Sequence, residues 1–196
     1  MGYFALVAVV LVVLLVWVVA VYNRLRTHQN QVENAFAQID VQLKRRHDLI
    51  PNLVEVARGY MQHEAQTLEA VIRARGEAVS AADRARQSPG KAQAMGALMA
   101  AEQVLGGQMG RLMALAEAYP TLKADARMHQ LSEEITSTEN RIGFARQAYN
   151  DGVLDFNNQA GRFPDLIVAR LAGFVHMDML ASTQNEQERA APKVKF

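Results

Sequence analysis

Apolar positions are contiguous at the start of the chain and spaced everywhere after it. From Tyr3 to Tyr22 the sequence reads YFALVAVVLVVLLVWVVAVY, with no charged side chain. About 20 apolar residues of helix cross a bilayer core. Lipid leaves backbone groups no partners but each other, so this run predicts a transmembrane helix in spite of its many valines. Tyr3, Trp17 and Tyr22 lie toward its ends, where amphipathic rings favour the interface. Beyond it, Val32, Phe36, Ile39 and Leu43 step by four, three and four. The stripe resumes through Ile50, Val54, Ala57, Met61, Leu68 and Val71 to Arg75. That spacing predicts one long bent helix, or two nearly collinear ones, over about 23–86. Pro51 is the expected kink, because its ring lacks the N–H and crowds the preceding turn.

Gln87-Ser88-Pro89-Gly90 breaks the pattern, with Ser88 and Pro89 suited to start a helix. A second long helix should run to about Ala118, with Leu98, Leu105, Leu112 and Tyr119 repeating every seven. Gly96, Gly106, Gly107 and Gly110 lie inside it. They imply either a weak, mobile helix or a close approach to a neighbouring backbone. Pro120 ends that stretch. The last long helix spans about 121–160 on Leu131, Ile135, Thr138, Ile142, Ala145, Tyr149 and Phe156, with Gly161 and Pro164 as stop signals. Leu166 to Val175 could dock as a short closing helix.

The expected fold class is therefore all-α. An N-terminal transmembrane helix (1–22) leads into an elongated antiparallel bundle of long helices of the four-helix up-and-down type (23–175), and a polar, frayed tail (176–196) follows. Helices of this length reach about 45–60 Å.

The 196 residues include 21 basic and 20 acidic side chains and no cysteine. That charge balance argues against nucleic acid as a partner. Thiol catalysis, disulfides and Cys-ligated zinc are excluded. Val18-Val19-Ala20 resembles a signal-peptide cleavage site, but no basic residue precedes the run and it is long for a signal core. Arg24 and Arg26 follow it at once, with Lys44, Arg45 and Arg46 a little later. The positive-inside rule then places the bundle in the cytoplasm.

Candidate chemistry is sparse. No phosphate loop, nucleophile elbow or metal motif appears. His63-Glu64 begins like a metallohydrolase helix, but Thr67 stands where the second histidine belongs. The five histidines, at 28, 47, 63, 129 and 176, form no i,i+4 pair. Met95, Met99, Met109 and Met113 fit a soft-metal site in spacing and core filling in character. No cofactor, metal or small-molecule substrate is expected.

Two polar clusters stand out. Lys44-Arg45-Arg46-His47-Asp48 precedes Pro51, and Glu139-Asn140-Arg141 lies ahead of Arg146, Tyr149, Asn150 and Asp155. Either is a solvated face, or a structural or partner-contact surface. Asn140, Arg146, Asn150 and Asn157 stay near the apolar stripe, which also suits a buried network that sets helix register.

The stretches Gln38 through Lys44-Arg45-Arg46-His47-Asp48-Leu49-Ile50-Pro51-Asn52-Leu53-Val54 and Thr138-Glu139-Asn140-Arg141-Ile142 to Tyr149-Asn150 resemble the LemA family. So do Tyr119-Pro120-Thr121-Leu122-Lys123, Asn157 with Phe163-Pro164, and the closing Pro192-Lys193-Val194-Lys195-Phe196. After Gly173-Phe174 the family usually carries a Tyr-Phe-rich stretch, where this chain has Val175-His176-Met177-Asp178-Met179. The resemblance implies a single-pass bacterial inner-membrane protein with a bundle of long helices and no established enzyme activity. One branch of that family builds magnetosome membranes, which implies membrane organisation.

Three functions compete at this stage. The first is a scaffold that binds the bilayer, forms homo-oligomers and engages other membrane proteins. The second is a sensory or ligand-binding bundle acting through a separate partner. The third is a hydrolase or metal enzyme using Asp40, His47, Asp48 and Glu139.

Overall fold

The computed structural model describes residues 1–180. The remaining sixteen residues, with the closing Pro192–Phe196 motif, lie outside the described residues. Helix α1 spans Gly2–Tyr60, α2 Ala65–Gln87, α3 Ala92–Ala116, α4 Pro120–Lys123, α5 Ala126–Gly161 and α6 Asp165–Leu171. Among the described residues there is no strand. The all-α expectation holds.

The apolar run and the first bundle helix form one element. α1 continues without interruption from the anchor into the core, a length of about 88 Å at 1.5 Å per residue. Only 6% of its most apolar window is buried by the rest of the chain. A core helix of a soluble domain would be largely covered, so this window has the length and exposure of a membrane span.

The chain reverses direction at Met61–Glu64, and α2 runs back antiparallel along α1: Arg75 meets His47, and Arg86 pairs with Asp40 at 2.8 Å. The expected continuous or collinear helix over 23–86 is therefore corrected to a hairpin. Met61 is fully buried at the turn itself. The apolar stripe therefore passes through the reversal in phase, and the seven-residue step from Met61 to Leu68 looks like two uninterrupted turns. Pro51, the expected kink, lies inside α1 without ending it.

α3 returns beside α2, and α5 packs along α1 from the Tyr60–Asp125 hydrogen bond to the contact of Gly152 with Val32. The Asp125 carboxylate caps α5 by accepting the N–H groups of Arg127 and Met128 at 2.8 and 3.1 Å, a cap worth about 1 kcal/mol. These four long helices make the up-and-down bundle. A Cβ built on Gly96, Gly106, Gly107 or Gly110 would meet nothing within 4 Å. The close-approach reading of the α3 glycines is thus overturned. The close approach falls instead at Gly152 on α5, where a Cβ would lie 3.4 Å from Val32 Cγ2.

Apolar side chains form two large clusters. The distal one gathers Leu53, Ala57, Val71, Leu105 and Leu112, and the one nearer the anchor gathers Phe36, Ile39, Leu98, Tyr149 and Phe156. Met95 and Met109 are core filler within them. A third, small cluster joins Val21 and Leu25 of α1 to Val168 and Ala169 of α6.

The polar tail expected from 176 onward begins too early. Residues 176–180 are docked against α5 and the α2–α3 turn through hydrogen bonds to Met177, Asp178 and Leu180.

Candidate functional site

Two polar constructions stand inside the bundle. The first is a charged layer between the two large clusters. Pro51 has no N–H, so the carbonyl of His47, four residues back, loses its helical donor. Arg75 of α2 supplies one instead, donating from Nε to that oxygen. One turn of α1 thereby gains a tie to its neighbour helix. On the same turn, Arg46 is buried and forms an ion pair with Glu102 of α3. The His47 imidazole Nε2 lies 2.7 Å from the other oxygen of that carboxylate.

Burial, then Arg46 and Arg75 nearby, hold the His47 pKa down at about 4. The ring is neutral at pH 7, and because a carboxylate only accepts, Nε2–H is the donor to Glu102. Burial also pulls the Arg46 guanidinium below its ordinary value, against the attraction of Glu139. Arg46 Nε has no hydrogen-bond partner.

The layer opens sideways into a cleft of about 990 Å³ between α3 and α5. Gly96, Gly106 and Gly107 form its α3 wall, where the missing side chains leave the space unfilled. Arg46, Glu102, Glu139 and Arg146 bring charges of both signs to its lining. Arg146 is half-buried, and desolvation lowers its pKa.

The second construction clamps the segment after α6. Asn157 and Asn150 each hold one residue of it by both backbone groups. Asn157 donates to the Met177 carbonyl at 2.9 Å and accepts its N–H at 3.0 Å. Asn150 does the same to Leu180 at 2.9 and 2.8 Å. Seven residues of α-helix rise about 10.5 Å over nearly two full turns, so positions 150 and 157 share a face. The residues they hold, Met177 and Leu180, stand three apart on the docked segment. Between them the Tyr149 hydroxyl donates to the Asp178 carbonyl at 3.1 Å, with its own pKa pushed up to about 12 by burial and then by Asp178. Gly90, at φ +81°, brings the α2–α3 turn against Met177, and its carbonyl accepts the Asp178 N–H.

The sequence-derived residues divide accordingly. Arg46 belongs to the charged layer, Pro51 creates its free carbonyl, and Tyr149 and Asn150 form the clamp. Phe174 packs its ring on Phe156 and Tyr22, with centroids 6.0 and 5.7 Å away, and so joins the bundle to the end of the anchor. Arg45 lies outside on α1 and reaches Glu134 at 3.6 Å, while Asp48 pairs with Lys44 at 3.0 Å on an exposed turn. Asn140 is exposed, which removes it from the expected buried network. Glu102 was missed, although it is the single acidic residue of α3, a helix made mostly of apolar and small residues. Among the described residues no three His, Asp or Glu side chains gather to hold a metal.

Comparison with known proteins bears on the same stretch. The model of the LemA family matches residues 35–196. Magnetosome protein MamQ 2 of Paramagnetospirillum magneticum is 25% identical over 168 residues, covering 78% of this chain and 62% of that protein. Magnetosome protein MamQ of Magnetospirillum gryphiswaldense is 25% identical over 173 residues, covering 80% and 63%. Protein LemA of Metamycoplasma hominis is 26% identical over 165 residues, covering 84% and 71%. The chain thus spans a little under two thirds of the magnetosome relatives. None of these names describes an enzyme.

Proposed function

This chain belongs to the LemA family, and from that premise we propose that it is a membrane-anchored, non-catalytic scaffold that self-associates and organises membrane or membrane-protein partners through its helix faces. The observation that carries the reading is an apolar patch on the outer face of the α1–α5 pair. Val41 is 61% exposed and Phe144 74% exposed, flanked by Ala37 and Ala148. Because Phe36 packs beside Tyr149 in the antiparallel pair, Val41 and Phe144 stand at the same level of the bundle. Copies anchored in one membrane stand side by side in the same sense. A two-fold axis along the membrane normal then brings Val41 of one copy against Phe144 of the other, a self-complementary contact. Arg24 and Arg26 beside the span support a bundle on the cytoplasmic side of a bacterial inner membrane.

The test is the mass of the full chain in detergent over a range of concentrations. A discrete oligomer is expected, and Val41→Glu with Phe144→Glu should reduce it to monomer with unchanged helicity. A wild-type chain that is monomeric throughout sinks the scaffold. The ligand-binding alternative would then take its place, supported by the cleft and its mixed charges.

A further inference from the structure

α6 is apolar on two sides. Val168 and Ala169 face inward onto Val21 and Leu25, whereas Ile167 and Leu171, four residues apart, face outward at 49% and 85% exposure, and Phe163, just ahead of the helix, is 77% exposed. An outward stripe of that size on a short helix is costly in water. Its place in the fold says what covers it. Val21 and Leu25 bracket Tyr22, the last residue of the apolar run, and Trp17, one turn further in, packs against the same small cluster. Tyr22 meets the ring of Phe174 just after α6. The fold therefore holds α6 at the level where the anchor leaves the bilayer. Basic side chains ring that level: Arg162 and Arg170 beside the stripe, with Arg24 and Arg26 on α1, all exposed. The acidic residue of α6, Asp165, is turned inward and accepts from Gln159.

We propose that α6 is a second membrane contact. It lies in the interface with Ile167 and Leu171, and Phe163 of the turn before it, among the acyl chains, and with Arg162 and Arg170 on the phosphates of anionic headgroups. Interfacial helices bury an apolar face about 5–10 Å into the headgroup–acyl boundary, and basic flanks add attraction to anionic lipid. The consequence is mechanical. A single span alone lets a bundle tilt and spin, whereas a span plus α6 fixes which face of the bundle lies parallel to the membrane and which is offered to neighbours. The inference rests on the reading of residues 3–22 as a membrane span.

The chain has no cysteine, so single substitutions label one site each. The full chain would carry an environment-sensitive fluorophore at Leu171→Cys, Val10→Cys or Gln62→Cys, in vesicles of phosphatidylcholine and phosphatidylglycerol with or without bromine on the acyl chains. Residue 10 reports the anchor and residue 62 the far end of the bundle. The expected result is emission at 171 and at 10 lowered about two-fold by brominated lipid, with 62 unchanged. A label at Phe163→Cys repeats the measurement at the turn that leads into the helix. If 171 and 163 respond no more than 62 while 10 is quenched, the proposal is overturned and the anchor stands. If 10 is not quenched, the anchor itself is refuted and the interfacial placement of α6 falls with it.

Discussion

Beyond the Arg46–Glu102 layer the bundle is four helices packed through Leu53, Ala57, Val71, Leu105 and Leu112. Toward the membrane, α2 and α3 stop at the turn around Gly90, and only α1 and α5 continue among the long helices. There the missing helices are replaced by α6 and the extended segment through Leu180. An incomplete bundle can thus be closed by segments whose polar needs differ. A helix satisfies its own backbone and needs only an apolar face. An extended segment brings unpaired N–H and C=O groups, so its neighbour must supply polar partners. Asn150, Tyr149 and Asn157 on α5 do that.

The contrast can be broken most sharply at the layer between the halves. Glu102→Ala leaves Arg46 buried without its carboxylate, which should cost about 3–5 kcal/mol and lower Tm by roughly 10 °C. Arg46→Met combined with Glu102→Leu should recover most of that loss, since both charges then leave together. A double variant no better than the single would show that the pair is not the relevant term.

The clamp comes next. Asn157→Ala or Asn150→Ala removes two hydrogen bonds to the backbone of the segment, about 1–3 kcal/mol. Hydrogen exchange should rise at 177–180 while α3 stays protected. Equal loss of protection in both regions would mean that the two halves unfold as one unit.

The smallest effect is in pH. The His47 pKa is depressed from 6.5 to about 4 in the folded chain. Between those values the unfolded chain binds more protons, so this contribution to stability is complete above 6.5 and is lost as pH falls toward 4. From pH 7 to 6 wild type should lose about two degrees more in Tm than His47→Gln, whose amide can still donate to Glu102. Parallel curves would remove His47 from the account.

Much of the local structure was legible from periodicity. Three- and four-residue steps mark the long helices, and Pro120, Gly161 and Pro164 mark their ends. The hairpin at Met61 was not legible, because a buried turn residue continues the stripe it interrupts. Of the site, Tyr149 and Asn150 stood out as polar groups on an apolar face, and Arg46 lay in a basic run. Nothing local separated Arg46 from Arg45, since neighbours on a helix point about 100° apart and only the packing of α3 decides which is buried.

The apolar span, the all-α character and the family are written in local pattern, because hydrophobic period and motif are properties of neighbours along the chain. The remaining features come from packing. Pairing Glu102 with Arg46, turning Arg75 onto the carbonyl freed by Pro51, and setting two asparagines against a segment twenty and thirty residues further on all depend on distances between elements that no local pattern encodes. The same holds for the outward stripe of α6, whose meaning comes from the place where the fold leaves it beside Val21 and Leu25.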